Sequence, residues 1–253
     1  MKFGEQPPLN PTETTGAQEP RVEQSLEVQE KERRINLAKR LFSQGVPVYD
    51  SSGRIGLHGT SIENFVRMIK TGEIKTDTEK NKIQGESHAN RFYIVPHKKS
   101  LEGSELHDES RDLSLDTVFQ ASADYASITA FYSYISERLP GLLDDSTYML
   151  YVLYPETEKG KAAREFLIKK AEQMSFDKEL VEKTIREAKG RRGVVLAIDS
   201  NVLSKYKLLR GEKTPDREIY IESEQIPLED IIIGAESMIG YDKEEIFERL
   251  SEK

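Results

Sequence analysis

The residues best suited to chemistry in this chain run in order along it: His58, Tyr93, Ser122, Tyr125 and Glu218. Cysteine is absent, which excludes disulfides, thiolate zinc sites and cysteine nucleophiles. Four histidines occur, His58, His88, His97 and His107, and no two stand at i, i+3 or i+4, so a helical histidine metal pair is excluded too. His58 stands apart because Gly59 follows it, between an apolar run and a helix-like one. An imidazole there can hydrogen-bond a sugar hydroxyl, and a glycine lets a flat ligand approach the backbone. Each residue taken singly also has a purely structural reading. His58 can be a structural histidine, Tyr93 and Tyr125 can be core, and Ser122 can cap its helix. Glu218 can share a solvated strand face with Tyr220 and Glu222. Neither G-x-G-x-x-G after a strand nor G-x-x-x-x-G-K-S/T occurs, so the usual nucleotide cradles are absent.

Taken together, these residues acquire a meaning that none has alone. Leu57-His58-Gly59-Thr60-Ser61, followed by a helix ending Ile69-Lys70-Thr71-Gly72-Glu73-Ile74, resembles the opening of ADP-ribosyltransferases of the poly(ADP-ribose) polymerase, or diphtheria-toxin-like, type. Phe92-Tyr93-Ile94-Val95 resembles their next strand, Ser122-Ala123-Asp124-Tyr125-Ala126 the start of the following helix, and Arg217-Glu218-Ile219-Tyr220-Ile221 the strand bearing the catalytic glutamate. The resemblance implies NAD+ as substrate, without a metal, and a set of roles. His58 would hold the adenine-side ribose. Gly59, with Thr60 beside it and the Ser122 hydroxyl, would meet the nicotinamide carboxamide. Tyr93 and Tyr125 would enclose the nicotinamide ring, since aromatic faces suit a flat cation. Glu218 would stabilise the oxocarbenium-like transition state as the glycosidic bond breaks. The implied reaction moves one ADP-ribose unit to an acceptor, a protein side chain. Glu224, in the paired-acid run Glu222-Ser223-Glu224, is the alternative carboxylate. An RNA 2′-phosphotransferase would share the fold and the use of NAD+, but it calls for arginines around the His-Gly strand, where only Arg54 stands. A catalytically silent module binding NAD+, ADP-ribose or a protein is the reading from another class.

The elements that must carry these residues follow from apolar periodicity. Lys31 to Phe42 has helical spacing, with Gly45 as its stop. Pro47–Asp50 and Ile55–Gly59 read as short extended pieces around the turn Ser51-Ser52-Gly53. Ile62, Phe65, Val66 and Ile69 form one helical face, opened by Ser61 and closed by Gly72. Arg91–Pro96 and Tyr148–Tyr154 read as strands by their aromatic and β-branched content. Residues 97–116 read as a long polar loop, an insertion between Tyr93 and Tyr125 that would gate NAD+ or select the acceptor. Gln120–Arg138 is helical. Glu158 to Gly190 reads as two helices broken near Ser175-Phe176-Asp177, with Asp177 or Ser175 capping the second. Gly193–Asp199, Glu218–Glu222 and Asp230–Gly234 are strands, and Tyr241–Leu250 is a closing helix.

This irregular interleaving predicts α+β: a split, mostly antiparallel sheet with flanking helices, which the resemblance identifies as the ADP-ribosyltransferase-like fold. Residues 1 to about 30 are expected to be a disordered tail, rich in Pro, Glu, Gln and Thr. Residues 31–253 are expected to form one domain with a helical insertion at about 158–190. Across 253 residues, 32% are charged and the net charge is −8, which counts against a generic grip on nucleic acid. The lysines and arginines of 158–190 are interleaved with acids and read as a solvated surface. No membrane span, signal peptide or lipid anchor is legible, so the expectation is a soluble protein, cytoplasmic or delivered into a host cell.

Overall fold

The computed structural model describes residues 26–46, 54–76, 91–96, 115–143, 146–210, 219–237 and 240–252. Along them run α1 (Leu26–Gln44), β1 (Arg54–Thr60), α2 (Ile62–Thr71), β2 (Glu73–Lys75), β3 (Arg91–Pro96), α3 (Leu115–Arg138), α4 (Tyr148–Leu153), α5 (Glu158–Gln173) and α6 (Lys178–Lys189). Then follow β4 (Val194–Asp199), α7 (Val202–Lys205), β5 (Leu208–Arg210), β6 (Ile219–Glu222), β7 (Gln225–Pro227), α8 (Leu228–Ile231), β8 (Ile232–Ser237) and α9 (Gly240–Ser251). Six strands bond in the order β5-β6-β3-β1-β4-β8 with every pair antiparallel, and β2 pairs with β7 in a separate ribbon. The class is α+β, with an antiparallel sheet and flanking helices, as the sequence predicts.

Side-chain alternation sorts the sheet into two faces. Phe92, Ile94, Leu196, Ile198, Ile219 and Ile221 point to one side and pack with Leu37, Leu41, Phe65, Ile69, Ile246 and Leu250 of α1, α2 and α9. Leu57, Val95, Val195 and Ala197 point to the other and pack with Val118, Ala123 and Ala126 of α3. The C-terminal half of α3 leaves the sheet. Its Phe131, Ile135 and Leu139 make a separate core with Tyr148, Leu167, Val181 and Ile185 of α4, α5 and α6. Each fully buried aliphatic or aromatic side chain stabilises these layers by roughly 1.5–3 kcal/mol, so α3 is anchored at both ends.

One pairing is incomplete in a way that matters. β1 pairs with β4 from Arg54 to Thr60, but with β3 only at Gly56↔Pro96 and Leu57↔Val95. The ladder stops just before His58, while Arg91 to Ile94 of β3 pair with β6.

The helix signals hold in detail. The Ser61 side chain accepts from the Asn64 N–H at 3.1 Å, and Gly72 closes α2 at φ 71°. Gly45 ends α1 with φ 63°, and Asp177 opens α6 by accepting from the Leu180 N–H at 2.8 Å. Other expectations need correction. Tyr148–Tyr154 is not a strand: α4 covers Tyr148–Leu153, burying Tyr148, Tyr151 and Val152 at helical spacing, with Tyr148 stacked 5.9 Å from Phe131. A short apolar run carries no period long enough to separate the two forms, and here the facing helices decide. Asp230 and Ile231 belong to α8, so that strand starts at Ile232. β2, β5 and β7, three residues each, lie in places the sequence reading leaves unassigned. α1 begins at Leu26, inside the expected tail, and α3 begins at Leu115, ahead of Gln120. Residues 1–25, the extended piece and turn at 47–53, and 97–114 of the expected loop lie outside the described residues. Among the described residues no helix is long and apolar enough to cross a membrane.

Candidate functional site

The site is built where β1 meets α3. Gly59 is buried on the sheet face that α3 covers, and a Cβ there would fall 1.9 Å from the Ser122 carbonyl oxygen and 2.5 Å from the Ala126 nitrogen. Any side chain at this position would push the helix off the sheet. The glycine is therefore required by the approach of α3, which occupies the space expected for a flat ligand. Ser122 sits in the contact, seven residues past the start of α3, so it cannot be the cap of that helix. It is fully buried, and its Oγ has no hydrogen-bond partner among the described residues. Its neighbours on the same helix behave differently: Ser127 donates to the Ala123 carbonyl and Thr129 to the Tyr125 carbonyl, each at 2.9 Å. Those are the ordinary back-bonds of a helical hydroxyl. A buried polar group left unsatisfied costs about 1–3 kcal/mol, so such a group asks for an explanation.

His58 stands at the point where the β1–β3 ladder ends. Its Nδ1 lies 2.7 Å from the Tyr93 carbonyl oxygen, and its ring lies 4.3 Å from that of Phe92. A carbonyl can only accept, so Nδ1 carries the proton and Nε2 keeps its lone pair. Burial pulls the imidazole pKa down to about 4, against the smaller opposing effect of the carbonyl. The ring is neutral near pH 7 and too weakly basic for general-base work there. What remains is an acceptor at Nε2, suited to a hydroxyl donor.

Tyr93 shares its sheet face with Val95, which packs toward α3. It lies opposite Tyr220 of β6, ring centroids 5.5 Å apart and tilted 45°. Tyr125, three residues beyond Ser122, is 42% exposed. Thr60 is buried at the end of β1. The structure thus brings Gly59 and Ser122 into contact, ties His58 to the backbone of Tyr93, and puts Tyr93 on the face that α3 covers. Glu218 lies outside the described residues, directly before Ile219 in the chain. Glu224 is exposed in the link between β6 and β7, where its carbonyl accepts from the Thr76 N–H at 3.4 Å. Sequence reasoning missed Tyr220 and Arg91 as companions of Tyr93. The only signal was their alternation on two strands, which becomes contact once register is known.

A shallow cavity of about 420 Å³ between Phe42, Val46, Glu236 and Lys243 lies at the β8 edge, and none of the candidate residues lines it. No family model, curated protein or solved structure matches this chain.

Proposed function

We propose that this chain, on an ADP-ribosyltransferase-like fold, cleaves NAD+ at its nicotinamide glycosidic bond and transfers one ADP-ribose unit to a protein side chain. The observation that carries the reading is the part-open Tyr93 ring, paired with Tyr220 of β6 and tied through its carbonyl to the neutral His58. An aromatic face of this kind suits a flat cationic ring such as nicotinamide. Two further features support it. The β1–β3 ladder stops beside His58, and the neutral His58 keeps an acceptor for a ribose hydroxyl. In this reading the C–N bond breaks with its electron pair leaving on nicotinamide. Glu218 stabilises the positive charge left on the ribose, and the acceptor then bonds to the anomeric carbon with loss of its proton.

Incubation with labelled NAD+ and a cell lysate tests the proposal. The parent chain is expected to label acceptor proteins, Glu218→Gln to lower labelling by at least about 100-fold, and Glu224→Gln to leave it unchanged. Equal labelling by parent and Glu218→Gln contradicts the mechanism, and loss only with Glu224→Gln moves the carboxylate to that position. Binding of NAD+ without nicotinamide release makes the chain a binding module.

A further inference from the structure

The ring of Tyr93 does not stand alone. Arg91 and Tyr93, two residues apart on β3, share one face, and Tyr220 stands opposite Tyr93 on β6. The Arg91 guanidinium carbon lies 4.6 Å above the Tyr220 ring, and the Tyr93 ring lies 5.5 Å away. The three side chains form a row from Arg91 through Tyr220 to Tyr93. Their exposures differ: Tyr220 is 5% exposed, while Tyr93 keeps part of its surface open. The buried ring is the wall and the open ring is the contact. Ile219 and Ile221, on either side of Tyr220, point into the opposite core and fix β6. Tyr220 is thereby held at three points: its strand neighbours below, the Arg91 cation above, and the cross-strand ring beside it.

We infer that Tyr220, clamped by Arg91, is a positioning residue that fixes the orientation of the Tyr93 ring and so sets how tightly the site holds a flat cationic ring. This rests on the reading that Tyr93 faces nicotinamide. A ring fixed before binding loses little freedom on binding, so the row acts on affinity and not on bond cleavage. Tyr220 touches no substrate in this account.

The test is the KM and kcat for nicotinamide release from NAD+ by the parent, Tyr220→Leu, Tyr220→Phe and Arg91→Gln. Tyr220→Leu is expected to raise KM about tenfold with kcat within about twofold, Arg91→Gln to raise it about threefold, and Tyr220→Phe to restore the parent value. An unchanged KM in Tyr220→Leu, or a Tyr220→Phe variant as impaired as Tyr220→Leu, overturns the inference. Arg91→Gln, at a part-exposed position, carries the comparison if Tyr220→Leu does not fold. If the parent releases no nicotinamide, the proposed reaction fails, and the positioning role is read from NMR of ring-labelled tyrosine. Tyr93 ring signals should shift and broaden in Tyr220→Leu and return in Tyr220→Phe. Tyr93 signals unmoved by either change overturn the inference on their own.

Discussion

At the scale of single residues, the burial of His58 has a consequence for stability at low pH. The imidazole is held neutral because burial opposes its charge, and its pKa falls from the ordinary 6.5 to about 4. The unfolded chain binds a proton there as pH drops below about 6.5, whereas the folded chain does not until about 4. Stability is therefore unaffected above that window and is lost as pH falls through it. The loss is of order 2–3 kcal/mol, trimmed by the part of His58 that stays open to solvent. Urea unfolding of the parent and of His58→Gln from pH 7 to 4 isolates this from the carboxylates common to both. The parent should lose that much more stability than the variant, and parallel curves would refute the buried neutral imidazole. Gly59 and Ser122 were both legible as site residues, but their contact was not. It is made by the approach of a helix 63 positions further on, and no local pattern records it.

At the scale of elements, the helical lobe is fastened to the sheet by charge as well as by α3. Arg191, between α6 and β4, reaches Glu63 of α2 at 3.4 Å and Glu245 of α9 at 3.1 Å, while Arg249 joins the same carboxylates at 3.6 and 2.6 Å. The Arg191 guanidinium also lies 4.2 Å from the Tyr134 ring of α3. Its side chain is only 13% exposed, so removing it leaves Glu63 and Glu245 to share Arg249 and takes the cation from the Tyr134 ring. Arg191→Ala should cost about 2–3 kcal/mol by chemical unfolding, against less than about 1 kcal/mol for Lys161→Ala at the exposed Glu158 pair. Equal costs would show that the network does not fasten these elements. The same scale explains what could be read from sequence. α2 was legible because its cap, its apolar face and its closing glycine agree. α4 was misread because Tyr148-Met149-Leu150-Tyr151-Val152-Leu153 is as apolar as a strand, and only the presence of α5 and Phe131 makes it helical. β2 and β7 were invisible because three-residue strands exist only through each other.

For the molecule as a whole, the arrangement is an antiparallel sheet with helices on one face and α3 on the other, continued into a helical lobe with its own core. The class followed from the irregular order of strands and helices. The second core did not, because nothing in residues 115–190 reveals that α3 leaves the sheet halfway. That course presents Ser122 to the sheet and Tyr134 to the lobe, so the candidate site and the lobe share one helix. The proposed reaction requires NAD+ to bind with its cationic ring against Tyr93. A titration of NAD+ into the parent and Tyr93→Ala, followed by calorimetry, tests this most directly. The parent should bind, and Tyr93→Ala should bind about tenfold more weakly. Equal affinity in the two proteins, or no binding by the parent, would contradict it.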